Sequence, residues 1–170
     1  MRTGQHTRTG PRRGTAALAV IGLLALVPGC SVFGSPGPER GADGAVTAEA
    51  RTDAFSLQVG DCINDPGTED VSDIIVLPCD EPHVFELFAR TDMPDGDYPG
   101  VPAANTAASE FCAPEFATYV GLEYDASVLE LLYFYPVEDS WTAADDREIV
   151  CFVAEQGEKP VTGTLRDARR

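Results

Sequence analysis

Basic residues are scarce in this chain. Its 170 residues carry 12 lysines and arginines against 28 aspartates and glutamates, a formal charge of -16. Four of the cations, Arg2, Arg8, Arg12 and Arg13, stand in an acid-free leader; without them eight cations face 28 acids, a charge of -20. Such a surface repels phosphate backbones and anionic headgroups, which removes nucleic acid from the partners to expect. A basic partner or a bound cation suits it better, although acidity that serves solubility alone explains it equally. Histidine is rarer still, with His6 in the leader and His83 beyond it. A serine triad would have to use His83, and no serine stands in a nucleophile elbow. Acids are so common that no pair of carboxylates is distinctive. Neither an enzyme class nor a cofactor is indicated.

Long apolar runs are also missing. Thr15 to Val27 is the longest leader stretch, about a dozen apolar or small residues, whereas a membrane-crossing helix needs about 20. Preceded by Arg12 and Arg13, it suits the apolar core of a signal peptide over residues 1–29. Val27-Pro28-Gly29-Cys30 then resembles a lipobox, in which the cysteine thiol takes a diacylglycerol before cleavage; Pro28 is its unusual member. The residues after the arginine pair, Gly14-Thr15-Ala16, lack the large apolar pair of twin-arginine signals, which favours general secretion. Cys30 is therefore the expected lipid anchor, with the membrane as partner and the outer face of the cytoplasmic membrane as location. Residues 30–54, rich in glycine and proline at their start, read as a flexible tether with a root-mean-square reach of roughly 27 Å.

About 115 residues remain, enough for one small domain. Phe55 to Val59 alternates apolar with polar, as a half-buried strand does, and Gly60-Asp61 ends it. Ile74 to Leu77 and Val84 to Phe88 are further strands, separated by the turn-like Pro78 to Pro82. Ala104, Ala108, Phe111, Cys112, Glu115, Phe116 and Tyr119 then fall three or four apart, the period of a helix, with Pro114 inside it and Gly121 to stop it. Val128 to Tyr135 and Ile149 to Ala154 are strand-like again, with a short last strand at Val161 to Leu165 and a basic tail over 167–170. This order predicts an α+β domain over 55–166, a mostly antiparallel sheet covered by one main helix.

Cys62, Cys79, Cys112 and Cys151 form an even set in an exported chain, which points to two disulfides. No Cys-x-x-Cys pair favours zinc. Three pairings are open. Cys62 with Cys79 and Cys112 with Cys151 is the one expected, and loop closure gives them about 3 and about 4 kcal/mol.

The ordered series Phe55-x-Leu57-x-Val59-Gly60-Asp61-Cys62, Cys79-x-x-Pro82-His83-x-x-Glu86, Tyr98-Pro99-Gly100, Cys112-x-x-x-Phe116-x-x-Tyr119-x-Gly121, Pro136, Ser140-Trp141, Asp146-Arg147, Cys151 and Gly163-x-Leu165 resembles the septum formation domain family of Gram-positive envelope proteins. Asp145 departs from it, standing where the family has glycine; if that glycine serves a tight turn, the backbone here is expected to differ. The resemblance implies an envelope role and supplies no reaction.

The candidate binding residues are Asp61, His83, Glu86, Trp141, Asp146 and Arg147. On a strand His83 and Glu86 point to opposite faces, which disfavours a metal pair, and a hydrogen bond from His83 that fixes the Cys79 turn is the plainer use. Asp61 and the Asp146-Arg147 pair are placed to meet as an ion pair or to cap turns. Asp92, Asp95 and Asp97 lack the spacing of a calcium loop and read as a solvated turn. Trp141 with Tyr133 and Tyr135 forms either an aromatic contact patch or core. The reading these features support is a non-catalytic lipoprotein module that binds a protein or cell-wall component. The alternatives are a solute- or metal-binding lipoprotein and a wall hydrolase using His83.

Overall fold

The last strand of the sheet, Glu148-Ile-Val-Cys-Phe-Val-Ala154, is apolar on both of its faces, and both are covered. The computed structural model describes residues 37–65 and 73–170; the expected signal peptide and Cys30 lie outside them. Six strands form one antiparallel sheet: β1 Ala50–Thr52, β2 Cys62–Ile63, β3 Ile74–Leu77, β4 Phe85–Asp92, β5 Glu130–Phe134 and β6 Glu148–Ala154, in the order β1-β3-β2-β4-β6-β5. The main helix, α1 Val101–Val120, lies on one face, and a short helix, α2 Glu138–Ala143, joins β5 to β6. This is the α+β architecture read from the sequence.

Alternation on β6 builds two cores. Ile149, Cys151 and Val153 face α1 and pack with Ala108, Cys112, Phe116, Tyr119 and Val120. Val150 and Phe152 face the other way and pack with Leu57, Ile63, Ile74, Val76, Leu87 and Val46. On β4 the register shifts between Leu87 and Ala89, a bulge that sets both Phe88 and Ala89 in the helix-side core. α1 runs unbroken through Pro114, held by a buried stripe of Ala104, Ala108, Cys112 and Phe116 at four-residue spacing, and Gly121 ends it at φ 79°, donating to Ala117 O. Burial of that stripe outweighs the proline.

The second core corrects the expected tether. Residues 39–52 fold onto the sheet instead of leaving it: Arg40 bridges to Val46, Val46 is buried, and β1 pairs with β3. The cause is the face of β6, β4 and β3 opposite the helix, whose apolar side chains need a cover that α1 cannot give. The Phe55 to Val59 segment is likewise no strand. Ala54–Ser56 is a 3₁₀ turn capped by the Asp53 side chain, which accepts from Ser56 N, so Leu57 is buried while Phe55 and Val59 are exposed. Arg90 holds it there, donating from Nη1 to Leu57 O and from Nη2 to Phe55 O at 3.3 Å. Nor is Val161 to Leu165 a strand; only Val161 bridges, to His83. The basic tail is docked, with Asp167 N donating to Tyr119 O and Arg169 N to Val120 O, both at 2.9 Å.

Arg40 fastens the amino-terminal cover. Its guanidinium grips Asp61 bidentately at 2.6 and 2.8 Å, and Asp61, 2% exposed, also accepts from Gln58 N at 2.8 Å. The Asp61 hydrogen bond raises the Arg40 pKa above its ordinary value. Arg40→Ala leaves a buried carboxylate with one backbone donor, and the expected result is a loss of about 3 kcal/mol in urea unfolding. Limited proteolysis should then cut before residue 54 ahead of the rest; an unchanged urea midpoint would show that the cover is not held this way.

Candidate functional site

The candidate residues separate into two groups at different places in the fold. Asp146, Arg147 and Trp141 gather around α2. The Arg147 guanidinium lies 3.8 Å from the Trp141 ring centroid, donates to Trp141 O at 3.0 Å and to Asp145 Oδ1 at 2.8 Å, and reaches Asp95 at 3.6 Å. Trp141 donates from Nε1 to Gly96 O at 2.9 Å and packs against Tyr98 at 5.7 Å, so the indole is a brace for the 93–100 loop. Its ring partner is thus Tyr98, whereas Tyr133 and Tyr135 stack with each other at 6.3 Å. Asp146 Oδ1 accepts from Glu148 N at 2.9 Å and caps the turn into β6. An open acidic bay of about 530 Å³ lies beside this cluster, lined by Arg90, Asp92, Asp95, Asp145, Arg147 and Glu148 among others. Burial raises the Glu148 pKa, against the pull of Arg90.

Asp145 overturns the expected change of backbone. Its φ is 56°, in the left-handed region that glycine favours, so aspartate here holds the backbone conformation that a glycine would take readily. Aspartate tolerates this region better than most residues, and its exposed carboxylate contributes little through the Arg147 pair. Asp145→Gly is expected to raise stability by about 0.5 kcal/mol, read as a slightly higher melting temperature; a lower one would show that the ion pair outweighs the strain.

Asp61, His83 and Glu86 belong to the second group. Asp61 pairs with Arg40 and not with Arg147, so of the two uses expected for Asp61 and the Asp146-Arg147 pair it is the capping of turns that is found, by Asp61 at Gln58 N and by Asp146 at Glu148 N. Glu86, 1% exposed, accepts three hydrogen bonds: Tyr119 OH to Oε1 at 2.5 Å, the Thr164 hydroxyl to Oε1, and Leu165 N to Oε2 at 2.5 Å. It thereby ties β4 to α1 and to the carboxy-terminal segment. Desolvation, then the Glu86 charge, pushes the Tyr119 hydroxyl well above its ordinary pKa. Arg166 lies over the Tyr119 ring at 4.1 Å.

His83 is fully buried beside the first disulfide. Cys62 pairs with Cys79, and Cys112 with Cys151, the pairing chosen from the sequence. The His83 backbone exchanges hydrogen bonds with Val161 at 2.9 and 2.8 Å, and Nδ1 lies 2.9 Å from Glu81 O. A carbonyl accepts only, so Nδ1 carries the proton and donates, fixing the turn before β4. Nε2 is buried without a partner. One ring nitrogen of His83 and the sulfurs of Cys62 and Cys79 lie within 4.8 Å of one another. The sulfurs are bonded to each other, so this trio is not a set of thiolate ligands.

Above the disulfide opens a cleft of about 950 Å³. Its walls come from the amino-terminal cover (Asp43 to Thr47), the 58–60 turn, the 78–81 turn and the 163–166 segment, with Tyr119 at the base. Tyr119, Thr164 and Arg166 escaped the sequence reading as site residues, although Tyr119 and the Gly163-x-Leu165 motif stood in the resembling series. Arg40, in a stretch taken for tether, gave no signal.

The septum formation family matches residues 59–169, which is most of the folded domain and includes both disulfides and the 163–166 wall of the cleft. Two curated relatives, from Mycobacterium tuberculosis and Mycobacterium bovis, both named as lipoprotein LppN, are 31% identical to the chain over 123 residues, covering 69% of it and 67% of each relative. No solved structure matches the chain. With the family's pattern running through the sheet, α1 and the cleft, the chain belongs to the septum formation family.

Proposed function

We propose that the chain is a non-catalytic envelope module, held on the outer face of the cytoplasmic membrane by acyl chains on Cys30, that binds a protein or cell-wall component through the cleft over the Cys62–Cys79 disulfide. One observation carries the reading. The groups that acid–base catalysis would draw on, Asp61, His83 and Glu86, are all buried, and the two carboxylates are taken up by internal donors. What the cleft offers instead is turn backbone, the Tyr119 residue and a lining that includes Asp43, Asp80, Glu81 and Arg166. A rim with more acids than cations on a chain of charge -16 suits a partner that presents cationic groups. The lipobox at Val27 to Cys30 and the naming of the LppN relatives support the anchor, and the family's name supports a place in septum formation.

Crosslinking in intact cells tests this, comparing the unaltered chain, Cys30→Ala, and a rim variant carrying Asp43→Lys, Asp80→Lys and Glu81→Lys. The unaltered chain should fractionate with membranes, incorporate a palmitate analogue and crosslink to an envelope component. The Cys30→Ala chain should leave the membrane. The rim variant should stay anchored and folded but lose the crosslink. Retention of Cys30→Ala on the membrane would sink the anchor, and undiminished crosslinking by the rim variant would sink the cleft.

A further inference from the structure

We propose that Cys62–Cys79 is a redox-active disulfide, which, resting on the cleft reading above, exchanges with the thiols of a dithiol polypeptide segment lying in that cleft, with the buried His83 ring as the acceptor for the S–H of the reduced pair. Three observations place this chemistry here. The two sulfurs of the pair are unequally covered: Cys62 is fully buried, whereas Cys79 is only partly so and lines the cleft. An incoming thiol therefore meets Cys79 Sγ. Gly163, which also lines the cleft, lies next to Cys79, donating to Cys79 O at 2.6 Å, and a Cβ added there would meet no atom within 4 Å.

His83 is the second observation. Its Nδ1 is committed to Glu81 O and its backbone to Val161, so the ring is held in place. That leaves Nε2 as the nitrogen with capacity to spare, buried without a partner, in a ring with one nitrogen within 4.8 Å of both sulfurs. A disulfide has no proton to give it. A thiol does, so the reduced pair satisfies a group that the oxidised pair leaves unpaired. This difference favours reduction of Cys62–Cys79. The third observation is the contrast with Cys112–Cys151, in which both cysteines are fully buried in the helix-side core and neither lines the cleft.

The exchange balances as follows. The first substrate thiol gives its proton to water in the cleft, and the resulting thiolate attacks Cys79 Sγ. The Cys62–Cys79 bond breaks as the mixed disulfide forms, and the Cys62 thiolate leaves beside His83 and takes a proton from water. The second substrate thiol then attacks the substrate sulfur of the mixed disulfide, and its proton passes to the Cys79 thiolate that departs. Two electrons and two protons move from the dithiol to the protein, and the substrate segment gains a disulfide. The reaction is one reversible exchange and needs no other reactant.

The full chain, equilibrated with graded mixtures of reduced and oxidised dithiothreitol, then acid-quenched, alkylated with a mass tag and digested, reports each pair separately. Cys62–Cys79 should open at a reduced-to-oxidised ratio at least about tenfold lower than Cys112–Cys151, a difference of about 30 mV or more, while circular dichroism stays native. His83→Gln should raise the ratio needed to open Cys62–Cys79 by about tenfold. Should His83→Gln not fold, Cys62→Ala gives the second reading, because it leaves the Cys79 thiol facing His83. Its alkylation by iodoacetamide should slow by less than about tenfold from pH 8 to pH 6, where an ordinary thiol slows by about a hundredfold. Opening of both pairs together with loss of the native spectrum, an unshifted His83→Gln, or an ordinary pH dependence of Cys79 would each overturn the proposal.

Discussion

Glu86→Ala is expected to lower unfolding free energy by about 3–5 kcal/mol, read as a fall in the urea midpoint at unchanged slope. The carboxylate is 1% exposed and accepts from Tyr119 OH, Thr164 OH and Leu165 N–H. Thr164 is exposed and can turn to water, but the Leu165 amide and the Tyr119 hydroxyl are buried. Alanine therefore leaves two buried donors unpaired, at about 1–3 kcal/mol each, and removes charge-assisted bonds that are stronger than neutral ones. Glu86→Gln separates shape from charge. It keeps one carbonyl acceptor of the same reach, and its amide must turn a second donor toward a group that also donates, so the expected loss is smaller, about 1–2 kcal/mol. The consequence is local as well as global. Thr164 and Leu165 belong to the segment that walls the cleft, so in Glu86→Ala residues 161–170 should lose amide-exchange protection ahead of the sheet. An alanine variant that loses less than about 1 kcal/mol would show that water replaces the carboxylate.

The legible parts of this fold are those where one physical rule acted alone. The spacing of Ala104, Ala108, Cys112 and Phe116 gave α1, and its burial shows why: those residues form the stripe against the sheet. Ile74 to Leu77 and Ile149 to Ala154 read as strands because β-branched runs of that length have few other uses, and they lie in β3 and β6. Phe55 to Val59 misled because the same alternation also fits an irregular segment that buries every other residue; Leu57 alone goes inside, and Asp53 and Arg90 supply the bonds a strand partner would have given. The amino-terminal cover was hidden for a different reason. Its glycines and prolines are the composition of a linker, and what draws it onto the sheet is the second apolar face of β6, far away in sequence. That unbroken run from Ile149 to Ala154 was itself a signal that two layers, not one, had to cover the sheet. Among the site residues, His83 and Cys79 were visible by type. The unpartnered Nε2 was not, because an orphaned atom is a property of packing, and no spacing encodes it.

Loss of the core disulfide is the other large effect, and it should exceed loss of the cleft disulfide. Cys112 and Cys151 are 39 residues apart, against 17 for Cys62 and Cys79. Loop-closure entropy assigns about 4 kcal/mol to the longer cross-link and about 3 kcal/mol to the shorter. The difference in setting adds to the difference in length. Cys112–Cys151 fastens the middle of α1 to β6, the strand that both cores share, and both sulfurs are sealed from water. Cys62–Cys79 fastens a two-residue strand to a turn at the edge of a cleft. Replacing Cys112 and Cys151 together with alanine should therefore remove a large part of a stability that for such a domain is about 5–15 kcal/mol, and should loosen α1 from the sheet, seen as a lost near-ultraviolet signal from Tyr119 and its neighbours before the far-ultraviolet signal falls. The Cys62→Ala, Cys79→Ala double variant should keep that signal and unfold at a urea concentration between this variant and the unaltered protein. If the order is reversed, the hinge of the fold is the cleft and not the helix, and the Cys62–Cys79 bond holds too much of the structure to be opened in exchange.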